Sequence, residues 1–110
     1  MAWIGVSLEG TILHGQQPSE GAIEALMNLM QHGHRVTIIS DQIVPSPSEY
    51  RMAIKTHIEQ FLQGLGIPFS DIWTGGFKPS FDIYIDSKAV NLDKDWNMAL
   101  AQTNMMLSGI

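Results

Sequence analysis

Short apolar runs separated by polar and glycine-rich breaks predict an alternation of strands and helices along this chain. The runs 2–7 and 35–39 are apolar and end at a polar residue, which is typical of buried strands. Two weaker runs, 72–73 and 81–85, predict further strands. Because stretches with helical periodicity lie between these runs, the pattern indicates an α/β domain with a mostly parallel sheet.

Apolar residues at helical spacing predict three helices. The first begins at Ser19 as its N-cap and ends at Gly33. Its apolar stripe consists of Ile23, Leu26, Met27 and Met30. The second has Ser48 as its N-cap and is closed by Gly64, Gly66 and Pro68, with a stripe of Ile54, Ile58, Phe61, Leu62 and Leu65. A third begins around Asp93, with Trp96, Leu100, Thr103 and Leu107 on one face. We expect these helices to cover both faces of the sheet in a single domain, residues 1–110.

Polar side chains follow three of the predicted strands at equivalent positions. Ser7, Ser40 and Asp86 each come at or directly after the end of a strand. Right-handed crossovers bring the carboxyl ends of parallel strands to one edge of a sheet, where such folds bind ligands. An acid that ends an apolar strand is costly without a partner, so Asp86 is the strongest single candidate among them.

Composition narrows the classes of partner and compartment. The formal net charge is -5 and only six residues are Lys or Arg, which argues against a nucleic-acid partner. No apolar stretch approaches the ~18 residues that span a bilayer. The chain has no Cys, which excludes disulfides and thiolate catalysis and fits a reducing compartment. We therefore expect a cytoplasmic protein without a membrane or nucleic-acid partner.

Three segments carry a resemblance to a known family. The segment Val6-Ser7-Leu8-Glu9-Gly10-Thr11 resembles the first motif of the haloacid dehalogenase (HAD) phosphatases, a strand followed by Asp-x-Asp-Gly-Thr. Ile38-Ile39-Ser40 is similar to the second motif, and Lys78 to Ala89 to the third and fourth motifs run together. The resemblance implies an HAD-like Rossmannoid three-layer sandwich, and the short chain leaves no room for a cap domain.

The resemblance also implies roles for individual residues. Ser7 stands at the nucleophile position and Glu9 at the proton-shuttle position. Thr11, Ser40 and Lys78 match positions that hold phosphoryl oxygens. Asp86 matches a Mg²⁺ ligand, while Ser87 stands where the family has a second acid.

The departures from the family pattern bear on the reaction. Of the acids the motifs call for, Glu9 and Asp86 remain, since Ser7 and Ser87 are neutral. A serine hydroxyl without a base is a weak nucleophile. Mg²⁺ needs carboxylate anchors, so we expect it to bind weakly or not at all. The pattern therefore predicts a phosphatase-like pseudoenzyme that keeps a phosphate pocket and binds a phosphorylated ligand or a protein partner.

Two other interpretations stay open at this point. The chain can be an active HAD-type hydrolase in which Asp41 or His14 replaces a lost acid or base. It can also be a structural or interaction module with a vestigial pocket, and an exposed tryptophan would then mark a contact between copies in a homo-oligomer.

Overall fold

The computed structural model describes residues 2–76 and 79–86. This part of the chain contains, in order, β1 (Trp3–Ser7), β2 (Leu13–His14), β3 (Gln17–Pro18), α1 (Ala22–Gln31), β4 (Arg35–Ile39), α2 (Ser48–Leu65), β5 (Asp71–Ile72) and β6 (Ile83–Ile85). Four strands form the main sheet in the order β5-β4-β1-β6, and every neighbouring pair is parallel. The predicted mixed α/β architecture with a parallel sheet is confirmed.

The strand order places β1 where the topology changes direction. From β1 the chain passes to β4 and then β5 towards one side, and it later returns to add β6 on the other side of β1. Crevices at such switch points, outside the carboxyl ends of the strands, are where open α/β sheets bind ligands. The end of β1 is therefore the part of this sheet best placed for a site.

One face of the sheet carries the hydrophobic core. The register pairs Ile4 with both Val36 and Ile83, and pairs Val6 with both Ile38 and Ile85, so these side chains share a face. They form one cluster with buried residues of α1 and α2, namely Ala22, Ala25, Leu26, Leu29, Ile58 and Leu62. Both helices lie in crossovers that run in the same direction, and right-handed crossovers of this kind place their helices on the same face.

The opposite face carries aromatic and polar side chains. Trp3 packs edge-on against Trp73 and Phe81, with ring centroids 6.2 and 4.7 Å apart. Phe81 stacks on Tyr84 at 6.0 Å. The helix predicted from Asp93, on which the expected third layer depends, lies outside the described residues. No helix among residues 2–76 and 79–86 is both long enough and apolar enough to cross a bilayer.

The helix termini differ from the sequence prediction in their caps. α1 begins at Ala22 with Gly21 at its N-cap in the left-handed region, and Ser19 instead donates a hydrogen bond to the Thr11 carbonyl at 2.6 Å.

Ser48 is the first residue of α2 rather than its cap, which is Pro47. Neither helix has a side-chain N-cap hydrogen bond. The predicted stops near Gly33 and Gly66 are confirmed.

Two predicted core positions are wrong. Met27 is 45% exposed on α1, where Ala25 and Leu29 are buried instead. Phe61 is exposed on α2, although Ile58 and Leu62 are buried as predicted. The polar-looking segment after β1 also holds a small antiparallel hairpin, β2–β3, which the sequence pattern did not indicate.

Candidate functional site at the carboxyl edge of the sheet

The register of the sheet brings the predicted strand-end residues to one edge. Ser7 pairs with Ile39, the last residue of β4, so Ser40 comes one residue beyond the position beside Ser7. Val6 pairs with Ile85, so Asp86 follows at the same level on the other side of β1. Ser7, Ser40 and Asp86 therefore occupy the ends of three adjacent parallel strands.

The Glu9 side chain accepts three hydrogen bonds at this edge. Its Oε2 accepts hydrogen bonds from Ser40 Oγ at 2.7 Å and from Gln42 Nε2 at 3.1 Å. Its Oε1 accepts one from the Asp41 backbone amide at 2.9 Å. The carboxylate thus joins the loop after β1 to the loop after β4.

The loop after β4 is held in shape by its own hydrogen bonds. Ser40 Oγ accepts a hydrogen bond from the Gln42 amide at 3.1 Å while donating to Glu9. The amides of Ile43 and Val44 both donate to the Ser40 carbonyl, and Ser46 Oγ donates to the Gln42 carbonyl. The donors that reach Glu9 therefore stand on a fixed turn.

The turn after β1 uses most of its amides internally. Gly10 donates to the Leu13 carbonyl at 2.9 Å, and Thr11 donates to the Leu8 carbonyl at 3.5 Å. Thr11 is only 2% exposed and lies beneath this turn. Gly10 has φ +76, a left-handed conformation that favours glycine, and its hydrogen bond to Leu13 joins the turn to the start of the hairpin. Of the amides from Glu9 to Thr11, those of Gly10 and Thr11 are therefore already paired.

Ser7 has a weakly engaged hydroxyl. Its Oγ donates to the Glu9 carbonyl at 3.4 Å. Within residues 2–76 and 79–86 it makes no hydrogen bond to a histidine or a carboxylate. The arrangement therefore provides no general base for this hydroxyl in the described part of the chain.

A cavity of about 200 Å³ borders the same edge, between the β2–β3 hairpin and α2. Leu8, Leu13, Ile58 and Phe61 supply its apolar wall. Glu9, Gln16, Gln42 and His57 supply polar groups. Since Glu9 and Gln42 also belong to the hydrogen-bonded cluster, the cavity and the strand edge form one continuous region.

The remaining candidates lie at or outside this region. Lys78 and Ser87 are outside the described residues. Asp41 contacts Glu9 through its backbone amide and has an exposed side chain. His14 is exposed on β2, and it is absent from the walls of the cavity, which includes its neighbours Leu13 and Gly15.

The resemblance implies a Mg²⁺ site at Asp86, and its second acid position, Ser87, lies outside the described residues. The described residues contain no group of three or more His, Asp or Glu side chains that can hold a metal ion. Both carboxylate oxygens of Glu9 already accept hydrogen bonds from Ser40, Asp41 and Gln42. We therefore derive no step through a metal.

Gln42 is the functional candidate that the sequence pattern did not reveal. It lies two residues beyond the predicted strand end and donates to Glu9 through its side chain. A glutamine in a polar loop carries no distinguishing pattern, so only the folded loop identifies it. Comparison of the chain with protein-family models, with curated proteins and with solved structures finds no match.

Proposed function

We propose that this chain is an HAD-like, phosphatase-related protein whose strand-edge site binds a phosphorylated ligand with lost or strongly reduced turnover. The observation that carries the proposal is the register that puts Ser7, Ser40 and Asp86 on three adjacent strand ends. Their position beside β1, where the strand order changes direction, is the expected place for ligand binding in an open α/β sheet. The three matching motif segments supply the link to phosphoryl chemistry.

The contacts of Ser7 and Glu9 support the loss of turnover. A hydroxyl attacks phosphorus efficiently only when a base removes its proton, and Ser7 donates to a carbonyl instead. The Glu9 carboxylate is engaged with the loop after β4, so it is not held as a proton donor next to a leaving group. Both features work against the same chemical step.

The hydrolysis of p-nitrophenyl phosphate, with and without Mg²⁺, tests the proposal. The wild type is expected to show no Mg²⁺-dependent turnover. The double variant Ser7→Asp plus Ser87→Asp restores the family's acids at both positions and is expected to gain Mg²⁺-dependent activity. Adding Asp86→Ala to the double variant should abolish that gain. Wild-type hydrolysis that needs Mg²⁺ and disappears on Asp86→Ala would overturn the proposal.

Ligand binding is tested separately by thermal denaturation in inorganic phosphate against chloride of equal ionic strength. A phosphate-specific rise in Tm supports the anion site. If phosphate has no effect on the Tm of the wild type or of any variant, a structural or interaction module is supported instead. Analytical sedimentation would then measure whether that module is a homo-oligomer. The absence of Cys supports a cytoplasmic location for either role.

An active hydrolase is the second candidate function, favoured by the position of Asp41. Its amide lies 2.9 Å from Glu9 Oε1, which puts an exposed carboxyl-bearing residue at the border of the site. If Asp41 replaces a lost acid, the wild type will show phosphatase activity without the Ser7→Asp change. Asp41→Asn will then remove that activity.

A further inference from the structure

The hydrogen-bond donors around the Glu9 carboxylate form an arrangement that suits an oxyanion. Two carboxylate oxygens receive three donors, a serine hydroxyl, a backbone amide and a side-chain amide, at 2.7–3.1 Å. All three donors come from the consecutive residues Ser40, Asp41 and Gln42. Hydrogen bonds to an ionised acceptor are among the strongest that neutral donors make.

The turn itself orients two of these donors, the Ser40 hydroxyl and the Asp41 backbone amide. The backbone amide of Gln42 donates to Ser40 Oγ, so the hydroxyl proton of Ser40 can point towards the Glu9 carboxylate. The Ser40 carbonyl accepts from Ile43 and Val44, so the turn closes on itself. A preorganised turn of this kind presents its donors to any oxyanion of suitable size.

Of the three donor residues, Ser40 is closed to solvent, whereas Asp41 and Gln42 are exposed. Ser40 is 0% exposed, although it stands at the end of a strand where a ligand would arrive. Its hydroxyl proton is already given to Glu9 Oε2. A phosphoryl oxygen therefore reaches Ser40 only after the Glu9 side chain has moved.

We infer that Glu9 is the internal occupant of an oxyanion site formed by Ser40, Asp41 and Gln42, and that an external phosphoryl group binds there by displacing it. The inference rests on the proposed function and adds how its site is regulated. The cavity of about 200 Å³ that Glu9 also lines gives the displaced side chain a place to go. Glu9 is tethered beside the site, so it competes with phosphate at a high effective concentration. It therefore weakens phosphate binding even when no other competitor is present.

The decisive measurement is the Kd of inorganic phosphate, determined by titration calorimetry, for the wild type and Glu9→Ala. Removal of the competing carboxylate is expected to lower the Kd by about tenfold or more, a factor that corresponds to ~1.4 kcal/mol. Glu24→Ala removes an exposed carboxylate from α1 and controls for the change in net charge. It is expected to leave the Kd at the wild-type value.

Two further variants keep the test informative. Glu9→Gln retains the size of the side chain but loses its charge, so it should strengthen phosphate binding even if Glu9→Ala does not fold. Ser40→Ala combined with the Glu9 variant should remove the gain, because it deletes one donor of the site. A gain that survives Ser40→Ala would place the phosphate elsewhere and overturn the inference.

The outcomes separate this inference from the proposed function. If the wild type binds phosphate and both Glu9 variants bind it equally or more weakly, Glu9 is a brace between loops and the inference is wrong while the anion site stands. If none of the proteins binds phosphate, the anion site and the inference fall together.

Discussion

Gly5 lies directly beneath the ring of Phe81 on the aromatic face of the sheet. A Cβ built on Gly5 would stand 2.3 Å from Phe81 Cδ2 and 2.7 Å from Phe81 Cγ. The ring cannot move away freely, since it packs edge-on against Trp3 and stacks on Tyr84. The missing side chain of Gly5 is therefore what allows Phe81 to close over the central strand.

This relationship predicts that Gly5→Ala destabilises the fold by about 1–3 kcal/mol, the usual cost of overpacking. Gly64→Ala is the matched control, because Gly64 lies within α2 and an added Cβ meets nothing within 4 Å. It should stabilise the protein by about 0.5–1 kcal/mol through helix propensity. Urea denaturation measures both changes, and equal effects of the two substitutions would contradict the packing described for Gly5.

A second prediction concerns the hydroxyl of Thr37, which links two strands on the same face. Thr37 Oγ1 accepts from Trp3 Nε1 at 2.7 Å and donates to Asp71 Oδ1 at 2.5 Å, and the residue is fully buried. Thr37→Val keeps the shape but leaves the indole N–H unpaired, so we expect a loss of about 1–3 kcal/mol in unfolding free energy. Near-ultraviolet circular dichroism will also report the changed surroundings of Trp3.

Thr56→Val is the control for this substitution. The Thr56 hydroxyl donates to the Met52 carbonyl on the exposed side of α2. Its loss should change the stability by less than about 0.5 kcal/mol. A Thr37→Val variant as stable as Thr56→Val would show that the strand-linking hydroxyl contributes nothing.

The neighbouring Arg35–Asp71 ion pair is exposed, so we expect its removal to cost no more than about 1 kcal/mol.

The third prediction concerns pH and His34. Burial is the largest cause that lowers the pKa of His34 below its ordinary value of 6.5. The Ala2 amide also donates to His34 Nδ1, an acceptor only while that nitrogen is unprotonated. The unfolded chain binds this proton more readily than the folded one, so stability rises with pH in this range. The contribution of His34 is fully present above pH 6.5 and is lost as the pH falls towards the lower folded-state pKa.

Denaturation curves between pH 5 and 8 (roughly the range in which histidine titrates) will measure this dependence. His34→Gln should flatten the acid side of the stability profile. His14→Gln, at an exposed position of β2, controls for the loss of an imidazole and should retain the slope that His34 produces. A profile for His34→Gln that follows the wild type would refute the assignment.

The fourth prediction separates two neighbouring positions of α1. Leu26 is fully buried in the core cluster, whereas Met27 is largely exposed. Leu26→Ala should cost about 2–5 kcal/mol because it leaves a cavity. Met27→Ala should stay within about 0.5 kcal/mol of the wild type. Comparable losses at both positions would place the buried stripe of α1 elsewhere.

Periodicity located β1, β4 and both described helices, because burial of one face imposes its own repeat on the sequence. It was less accurate wherever a tertiary contact competed with a local rule. Ser19 is a residue type that often caps helices, but its hydroxyl donates to the Thr11 carbonyl across the turn. Gly21 is the N-cap of α1 instead. Met27 fits the apolar stripe by spacing, yet the face of α1 that meets the sheet is centred on Ala22, Ala25, Leu26 and Leu29.

For the candidate site, the strand-end pattern predicted that Ser7, Ser40 and Asp86 follow strands, and the register of β1 with β4 and β6 places them side by side. The sequence by itself determined the alternating elements and the polar strand ends, since these depend on residue type and local spacing. Only the tertiary structure decided that Glu9 turns towards Ser40 and Gln42, more than thirty residues away. A hydrogen bond between two loops depends on where the sheet brings them, and no local pattern contains that distance.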